Sequence, residues 1–244
     1  NCGVYPAILN ETEQITLWPD LFSFNRLTQI RDEEIGEKAF KKEYLCSPVW
    51  SEEAYFKPED INPLIDKTLK NATIINSIDY DIFAGLDLGK VRHPSHLTVF
   101  MKIEGKIVQI YQLFMDNWDY TKQVAHINKL ITDLKIRRIY YDDTRNELES
   151  FAEQRIIQRG LWVPIKFTQP EKYKMAANFQ KIVQSGILRL QSNERQRKSI
   201  LSVNNNLEAV ETIEGHGDAF WSIAMALSHR ESRPIAVAGA GHFN

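Results

Sequence analysis

The sequence predicts an α/β fold in which a mixed β-sheet carries helices on both faces. From Ile78 onward, short apolar runs of strand length alternate with longer segments whose apolar residues recur at helical spacing. Two neighbouring strand-like runs are joined only by Glu104-Gly105, which predicts an antiparallel hairpin, whereas helices separate the later strands. A hairpin followed by strand, helix, strand and helix is typical of a mixed sheet that is covered on both sides.

Length and composition limit what the chain can be. Its 244 residues, 43% hydrophobic and 25% charged, suit one sizeable globular core with an appended segment. The formal net charge of -2 excludes a protein that grips nucleic acid by overall positive charge, so any DNA contact must rest on local basic clusters. Cys2 and Cys46 are too few for a disulfide framework, which favours a reducing intracellular setting. No apolar run approaches membrane-spanning length.

Residues 1–76 lack the alternation of the rest and are predicted to be a helical arm or linker without a core of its own. The chain begins at Asn1 without an initiator methionine, so we expect it to be part of a longer protein. The signals within this segment are an N-cap at Ser23, a helix over residues 24–35 ended by Gly36, a helical stretch over residues 37–45 ended before Ser47-Pro48, and the breakers Pro58 and Pro63.

Residues 77–232 are predicted to form the sheet and its helices. Strands are assigned to apolar and β-branched runs between turn signals, and helices to apolar residues at helical spacing after an N-cap or proline. The predicted elements are strands over Ile82–Leu88, Leu97–Ile103, Lys106–Phe114, Ile139–Asp142 and Val163–Phe167, and helices from Asp119 to Leu134, Leu148 to Arg159, Glu171 to Gln184 and Asp218 to Arg230. The last helix is apolar on nearly every side, so it must pack against the sheet. Residues 233–244 are predicted to be a flexible tail.

Three acidic residues stand at the ends of these elements. Asp87 and Asp142 end hydrophobic strands, and Asp218 opens the apolar helix. Singly, each has an ordinary explanation, because Asp is favoured at turns and helix caps. Together they put three carboxylates where the edge of a sheet meets solvent, and hard oxygen ligands of this kind suit Mg²⁺ or Mn²⁺. The pattern predicts a metal-dependent phosphoryl-transfer enzyme such as a nuclease.

Strand parity distinguishes Asp142 from its neighbour Asp143. Successive strand residues point to opposite faces, so Asp142 is predicted to face the site together with Asp87. Asp143 lies one step into the loop, where solvation or an Asx turn is expected. Gly85 shares the face of Asp87 and is expected to leave room there for a bulky ligand.

Basic residues near the acids are candidate phosphate ligands. The amino end of the helix that carries Lys172 and Lys174 combines positive side chains with unbonded backbone amides, which suits phosphate oxygens. Clusters of charge are more often solvated surface, and this is the expectation for Arg195, Arg197 and Lys198. The candidate DNA-binding residues are therefore Lys90, Arg92, Lys172 and Lys174. His93 and His216 lie beside acidic positions, where each either orients a ligand or forms loop hydrogen bonds.

Three motifs and a preceding segment resemble the nuclease domain of phage terminase large subunits, the DNA-packaging motors of tailed viruses. The third acidic motif is the most specific of the three. The matching stretches are Trp18-Pro19 through Ser47-Pro48, Gly85-Leu86-Asp87-Leu88-Gly89, Ile139-Tyr140-Tyr141-Asp142-Asp143-Thr144 and Gly215-His216-Gly217-Asp218-Ala219-Phe220-Trp221-Ser222-Ile223-Ala224. The second motif departs from the family, which commonly has Gly after the Thr, whereas Arg145-Asn146-Glu147 follows here.

The resemblance implies a ribonuclease H-like fold that cuts concatemeric double-stranded viral DNA when packaging starts and ends. It implies two-metal catalysis by Mg²⁺ or Mn²⁺, in which Asp87 bridges two ions about 4 Å apart and Asp142 and Asp218 each hold one. Residues 1–76 would then lead from a missing ATPase domain, consistent with the absence of a Walker A pattern. The implied partners are that ATPase domain, the small terminase subunit and the portal protein. The implied location is the host cytoplasm, at the portal of the viral procapsid.

Three other readings use the same residues differently. A junction resolvase or recombinase of the same fold also uses an acidic triad, but it leaves the segment before Asp87 unexplained. A sugar-kinase or actin-like phosphotransferase needs a second Asp-x-Gly phosphate-binding hairpin, which the sequence lacks. A docking module without chemistry would bind the packaging machinery only, and metal-dependent cleavage of plasmid DNA would distinguish an enzyme from it.

Overall fold

The computed structural model describes residues 6–35, 40, 44–45, 54–89, 94–209 and 217–229. The chain divides into two compact units, Asn1–Glu52 and Glu53–Asn244. No helix in the described ranges is long and apolar enough to cross a membrane. The second helical stretch predicted over residues 37–45 lies mostly outside these ranges, as do the predicted tail and the residues Lys90, Arg92, His93 and His216.

The described residues form nine strands and seven α-helices, numbered here in chain order. The strands are β1 (Ile8–Asn10), β2 (Ile15–Thr16), β3 (Ile65–Asp66), β4 (Asp81–Asp87), β5 (Ser95–Ile103), β6 (Lys106–Met115), β7 (Arg138–Asp142), β8 (Trp162–Ile165) and β9 (Leu188–Gln191). The helices are α1 (Phe24–Gln29), α2 (Pro58–Ile61), α3 (Tyr120–Leu134), α4 (Glu149–Glu153), α5 (Gln169–Gln184), α6 (Glu194–Leu201) and α7 (Asp218–Leu227). A π-helical turn over Ile30–Ile35 follows α1, and a 3₁₀ turn over Asn62–Leu64 follows α2.

Seven strands of the larger unit form one mixed sheet in the order β3-β9-β6-β5-β4-β7-β8. The predicted hairpin is confirmed, because β5 pairs antiparallel with both β4 and β6. The β4, β7 and β8 strands run parallel to one another, and β9 runs parallel to β6 and β3. Consequently, β4 and β7 end side by side at the same edge of the sheet.

One face of the sheet is covered by α3. Asp119 caps this helix as predicted, its side chain accepting a hydrogen bond from the Lys122 amide at 2.7 Å. Val124, Ile127 and Leu134 lie on its buried stripe and belong to the same apolar core as alternate residues of β4, β5 and β7. At about 25 cal/mol per Å² of apolar surface, this burial is the main source of stability on that face.

The opposite face is covered by α7, which approaches β4 closely at Gly85. A Cβ atom built at Gly85 would lie 1.9 Å from the Ser222 carbonyl oxygen and 2.7 Å from the Ala226 amide nitrogen. Only a residue without a side chain fits there. The prediction that Gly85 leaves room for a bulky ligand was therefore wrong, because the room is occupied by α7.

The segment before β4 belongs to the larger unit, so the boundary lies between residues 52 and 53 rather than at the predicted residue 76. Phe56 is buried and packs against Phe179 and Phe220, with ring centroids 4.8 and 5.8 Å apart. β3 extends the sheet by pairing with β9. The prolines of this segment start α2 and its 3₁₀ turn, rather than breaking a connector.

The smaller unit has a small core of its own, contrary to the predicted coreless arm. Leu27 and Ile30 are buried together with Ala7 and Phe40, and Tyr44 stacks on the Phe40 ring at 5.1 Å. Ser23 caps α1 as predicted. The β1–β2 hairpin was not predicted, because strands of three and two residues are too short to show alternation.

Other differences between predicted and observed elements have local causes. The helix after β7 ends at Glu153 rather than Arg159, since Arg155 has a φ of 57°, which a right-handed helix cannot accommodate. α7 ends at Leu227 rather than Arg230. β9 and α6 were not predicted, because a strand of four residues and a helix of eight residues are too short to give a clear pattern.

We expect Gly85→Ala to destabilise the protein by about 3 kcal/mol, because the new methyl group would overlap the α7 backbone. Urea unfolding followed by circular dichroism measures the loss. Gly105→Ala is the matched control: nothing lies within 4 Å of its Cβ position, so its cost is the strain of a φ of 73°, about 1 kcal/mol. Equal losses in the two variants would contradict the close approach of α7 to β4.

Candidate active site

Asp87 and Asp142 end adjacent parallel strands in register. Gly85 pairs with Tyr140 and Leu86 pairs with Tyr141, so the next position brings Asp87 beside Asp142. The two acids share the sheet face that Gly85 presents to α7, because strand residues two apart point the same way. The predicted convergence of these two strand ends is therefore present in the fold.

Asp218 approaches the same edge from the amino end of α7. Ser222 and Ala226 lie over Gly85, and Asp218 is one helical turn before Ser222, toward the Asp87 end of β4. Asp218 is only 6% exposed. The helix start is fixed by Gly217, whose φ of 82° and tight packing leave no space for a side chain.

The three carboxylates repel one another electrostatically. The pKa of Asp87 is raised well above its usual range, first by burial of the carboxyl group and then by the charges of Asp218 and Asp142. Lys172 opposes this shift with its positive charge. Asp87 is partly exposed as a whole residue, although burial is the largest influence on the pKa of its carboxyl group. Such a cluster favours binding of a cation.

Asp142 and Asp143 point to opposite faces, in agreement with parity. Asp142 accepts hydrogen bonds from the amide, at 2.9 Å, and the hydroxyl of Thr144, so it is Asp142 that forms the Asx turn. Asp143 is 6% exposed, and the Lys166 ammonium lies 3.5 Å from its carboxylate and 2.8 Å from its carbonyl oxygen. The expectation that Asp143 is solvated or forms an Asx turn was wrong.

The two candidate lysines of α5 lie in different surroundings. The charge of Lys172 acts on Asp87, and its ammonium lies 5.3 Å from the centroid of the Trp221 ring. Lys174 pairs with Glu171 at 3.1 Å on an exposed surface. The expected unbonded amides are largely absent from this helix start. Pro170 has no N–H, the Glu171 amide donates to the Thr168 hydroxyl, and the Lys172 amide donates to the Thr168 carbonyl.

Two arginines of the cluster that was expected to be solvated surface pair with neighbouring side chains instead. Arg195 forms two hydrogen bonds to the Asp116 carboxylate, at 2.7 and 2.6 Å. Arg197 contacts Glu194 at 3.2 Å and the Asn62 side chain at 2.7 Å. These interactions differ from the simple solvation expected for this cluster.

Sequence reasoning missed His96, which lies beside the site. His96 pairs across β4 and β5 with Asp87, and its Nδ1 atom lies 2.6 Å from the Ser222 hydroxyl of α7. Burial lowers the pKa of His96 to about 3, so the ring is neutral. The predicted hairpin register could have placed His96 opposite Asp87, but only the packing of α7 reveals its contact with Ser222.

The donor set fits a divalent cation, although the side chains are not gathered into a closed cage. Within the described ranges, no three Asp, Glu, His or Cys side chains form a ready-made metal-binding group. One oxygen of Asp142 is engaged by Thr144, whereas the repulsion at Asp87 would be relieved by a cation. Carboxylate oxygens from two strand ends and a helix start are hard ligands of the kind Mg²⁺ and Mn²⁺ prefer.

Comparison with known proteins shows the fold of this chain. No family model matches the sequence, and no curated protein matches it by sequence. The structure matches the large terminase nuclease of thermophilic phage G20c with a TM-score of 0.57 and 18% identity, over 70% of this chain and 97% of that chain. Structures of the same nuclease with bound magnesium, zinc and cobalt match with TM-scores of 0.56, 0.55 and 0.56.

Two further terminases match over comparable or longer stretches. The large terminase nuclease domain of Thermus phage P74-26 matches with a TM-score of 0.56 and 18% identity, over 69% of this chain and 92% of that chain. The large terminase of bacteriophage HK97 matches with a TM-score of 0.52 and 13% identity, over 93% of this chain and 56% of that chain. This chain therefore has the fold of phage large terminase nucleases, and the predicted ribonuclease H-like α/β class is confirmed.

We expect Asp87→Asn to raise the melting temperature of the metal-free protein at neutral pH. Because the folded pKa of Asp87 is raised, its ionisation opposes folding, and stability falls as pH rises above the unfolded value near 4. The variant should lose this decline, and Mn²⁺ should stabilise only the parent. Melting curves between about pH 4 and pH 7 measure both effects.

Asp66→Asn is a control in which the carboxylate has the opposite effect on stability. Hydrogen bonds from Thr68 lower the pKa of Asp66, so its ionised form supports folding, and this support is lost as pH falls. If both variants changed the pH dependence of stability in the same direction, the electrostatic account of the acidic cluster would be wrong.

Proposed function

We propose that this protein is a metal-dependent endonuclease that cuts concatemeric double-stranded viral DNA during genome packaging. The observation that carries the proposal is the approach of Asp87, Asp142 and Asp218 to one edge of the sheet, on the fold of phage terminase nucleases. The solved relatives are called nucleases, and one was crystallised with bound magnesium. A repelling group of carboxylates on this fold suits divalent cations and a phosphodiester substrate.

The roles of the acids follow from their positions. The charges of Asp142 and Asp218 both act on Asp87, which would bridge two Mg²⁺ or Mn²⁺ ions. Asp142 and Asp218 would each hold one ion. The bound ions would activate the attacking water and stabilise the leaving 3′ oxygen.

Asp142 and Asp218 are held in place by different contacts. Asp142 is oriented by Thr144, whose hydroxyl also accepts a hydrogen bond from the Phe167 amide at 3.0 Å, so the ends of β7 and β8 are tied together. Asp218 is oriented by the packing of α7 on Gly85. Rigid placement limits the reorganisation that catalysis would otherwise require.

The substrate and partners of this activity are part of the proposal. Lys90, Arg92, Lys172 and Lys174 would contact DNA phosphates, and the net charge of -2 leaves this chain with only such local contacts. Additional grip would come from an ATPase domain in a longer chain, the small terminase subunit and the portal protein. The site of action would be the host cell, at the procapsid portal.

Two alternatives make different predictions in the same assay. A junction resolvase or recombinase would prefer branched DNA over plain duplex. A docking module would bind without cutting.

We expect the protein to nick or cut plasmid DNA with little sequence preference in Mg²⁺ or Mn²⁺. Ca²⁺ should support binding but little cleavage, because its larger and looser coordination shell positions the reacting oxygens less accurately. Agarose gels of plasmid incubated with each ion measure the activity. Cleavage that persists in excess chelator would refute the metal-dependent mechanism.

We expect Asp142→Asn to remove nearly all cleavage, whereas Asp143→Asn should retain substantial activity. Asp142 shares the site face with Asp87, while Asp143 faces away and lies beside Lys166. Losing one carboxylate from a repelling cluster should leave the metal-free melting temperature of Asp142→Asn nearly unchanged or higher. Cleavage rates at saturating Mn²⁺ decide the assignment, and an active Asp142→Asn beside an inactive Asp143→Asn would reverse it.

A further inference from the structure

The Lys172 ammonium lies over two aromatic rings at the rim of the acidic site. Its nitrogen is 5.6 Å from the centroid of the Phe167 ring and 5.3 Å from that of the Trp221 ring. The two rings lie 5.2 Å apart and tilt toward each other at 58°. A cation over two ring faces is attracted to their negative quadrupoles, so this long side chain is held in a restricted position.

This aromatic cradle, formed by Phe167 and Trp221, is connected to Asp142 through hydrogen bonds and to Asp218 through α7. The Phe167 amide donates to the Thr144 hydroxyl, and Thr144 in turn donates to the Asp142 carboxylate. Trp221 lies on α7, three residues after Asp218, and is only 6% exposed. The position of the ammonium is therefore coupled to the elements that position the carboxylates.

The charge of Lys172 reaches the centre of the site. The charges of Asp218 and Asp142 disfavour the ionised form of Asp87, and the charge of Lys172 favours it. Lys174, two residues further along α5, instead pairs with Glu171 at 3.1 Å. The structure thus separates a lysine that lies over Phe167 and Trp221 from one that pairs with Glu171 on the outer surface.

We propose that Lys172 contacts a non-bridging oxygen of the scissile phosphate, and that Phe167 and Trp221 are the residues that position it there. This inference rests on the nuclease function proposed above.

In the hydrolysis, a water oxygen bonds to phosphorus and the P–O3′ bond breaks. The water loses a proton to solvent and the departing 3′ oxygen gains one, leaving a 5′-phosphate and a 3′-hydroxyl. Negative charge on the phosphoryl oxygens is stabilised by a preorganised ammonium.

Two effects of opposite sign, one on metal binding and one on the rate of cleavage, distinguish this role from non-specific binding of DNA. Without DNA, the ammonium and a divalent cation compete for the negative potential at Asp87, so removing the ammonium should tighten metal binding. With DNA bound, the same removal should slow the chemical step. A residue that merely stabilised the fold would not produce tighter metal binding together with slower cleavage.

The test compares the parent with Lys172→Gln, Lys172→Arg, Lys174→Gln and Lys181→Gln. Lys181 lies on the same helix in its last turn, so Lys181→Gln is a charge-matched control. Mn²⁺ binding without DNA is measured from the shift of the melting temperature across a metal titration. Cleavage of a linear duplex at saturating Mn²⁺ then gives kcat and KM for each variant.

For Lys172→Gln we expect kcat to fall by on the order of 10²-fold with KM little changed, and the apparent Kd for Mn²⁺ to become severalfold tighter. Lys172→Arg should recover most of the activity because it retains the charge. Lys174→Gln should act on KM alone, and Lys181→Gln should match the parent. Phe167→Leu, which removes one ring, should lower kcat by about two- to fivefold.

Two results would overturn the assignment while the nuclease function stands. One is a Lys172→Gln variant with the kcat of the parent. The other is a loss expressed only in KM, which would make Lys172 a general DNA contact like Lys174. A parent protein that fails to cut in any divalent metal would instead refute the proposed function, and the inference with it.

Discussion

The close packing of α7 on β4 at Gly85 is the constraint on which the site depends. A Cβ atom at this position would lie 1.9 Å from the Ser222 carbonyl oxygen, so the two elements approach to a distance that only glycine permits. This contact sets the distance between α7 and the sheet. Asp218 is one turn from the contact and Asp87 is two strand residues from it, so the same approach brings the two acids together.

The axial position of α7 is fixed by polar contacts along its length. Near its start, the Ala219 amide donates to the Ser199 hydroxyl at 3.0 Å. Beyond its end, the His229 ring stacks on Phe83 at 4.5 Å and lies 3.1 Å from the Asp81 carboxylate. Burial is the largest influence on the pKa of His229 and lowers it despite the nearby carboxylate. These contacts oppose sliding of the helix, which would carry Asp218 away from the site.

The negative charges of the site destabilise the metal-free fold. Burial and two neighbouring carboxylates raise the pKa of Asp87, so ionisation of the cluster is unfavourable without a compensating charge. Lys172 supplies part of that charge from its place over Phe167 and Trp221. A local cost of this kind is typical of functional sites, where groups are arranged for a ligand rather than for stability.

The sequence by itself determined the mixed sheet, the helix caps Ser23 and Asp119 and the three acidic positions, because strand alternation, helical spacing and turn chemistry are local properties. It also gave the parity that separates Asp142 from Asp143. Only the tertiary structure decided that Gly85 receives α7 instead of a ligand, that residues from 53 onward belong to the larger unit, and that the charge of Lys172 acts on Asp87 whereas Lys174 pairs with Glu171. These outcomes depend on contacts between residues far apart in the chain, and no local pattern records which surfaces meet.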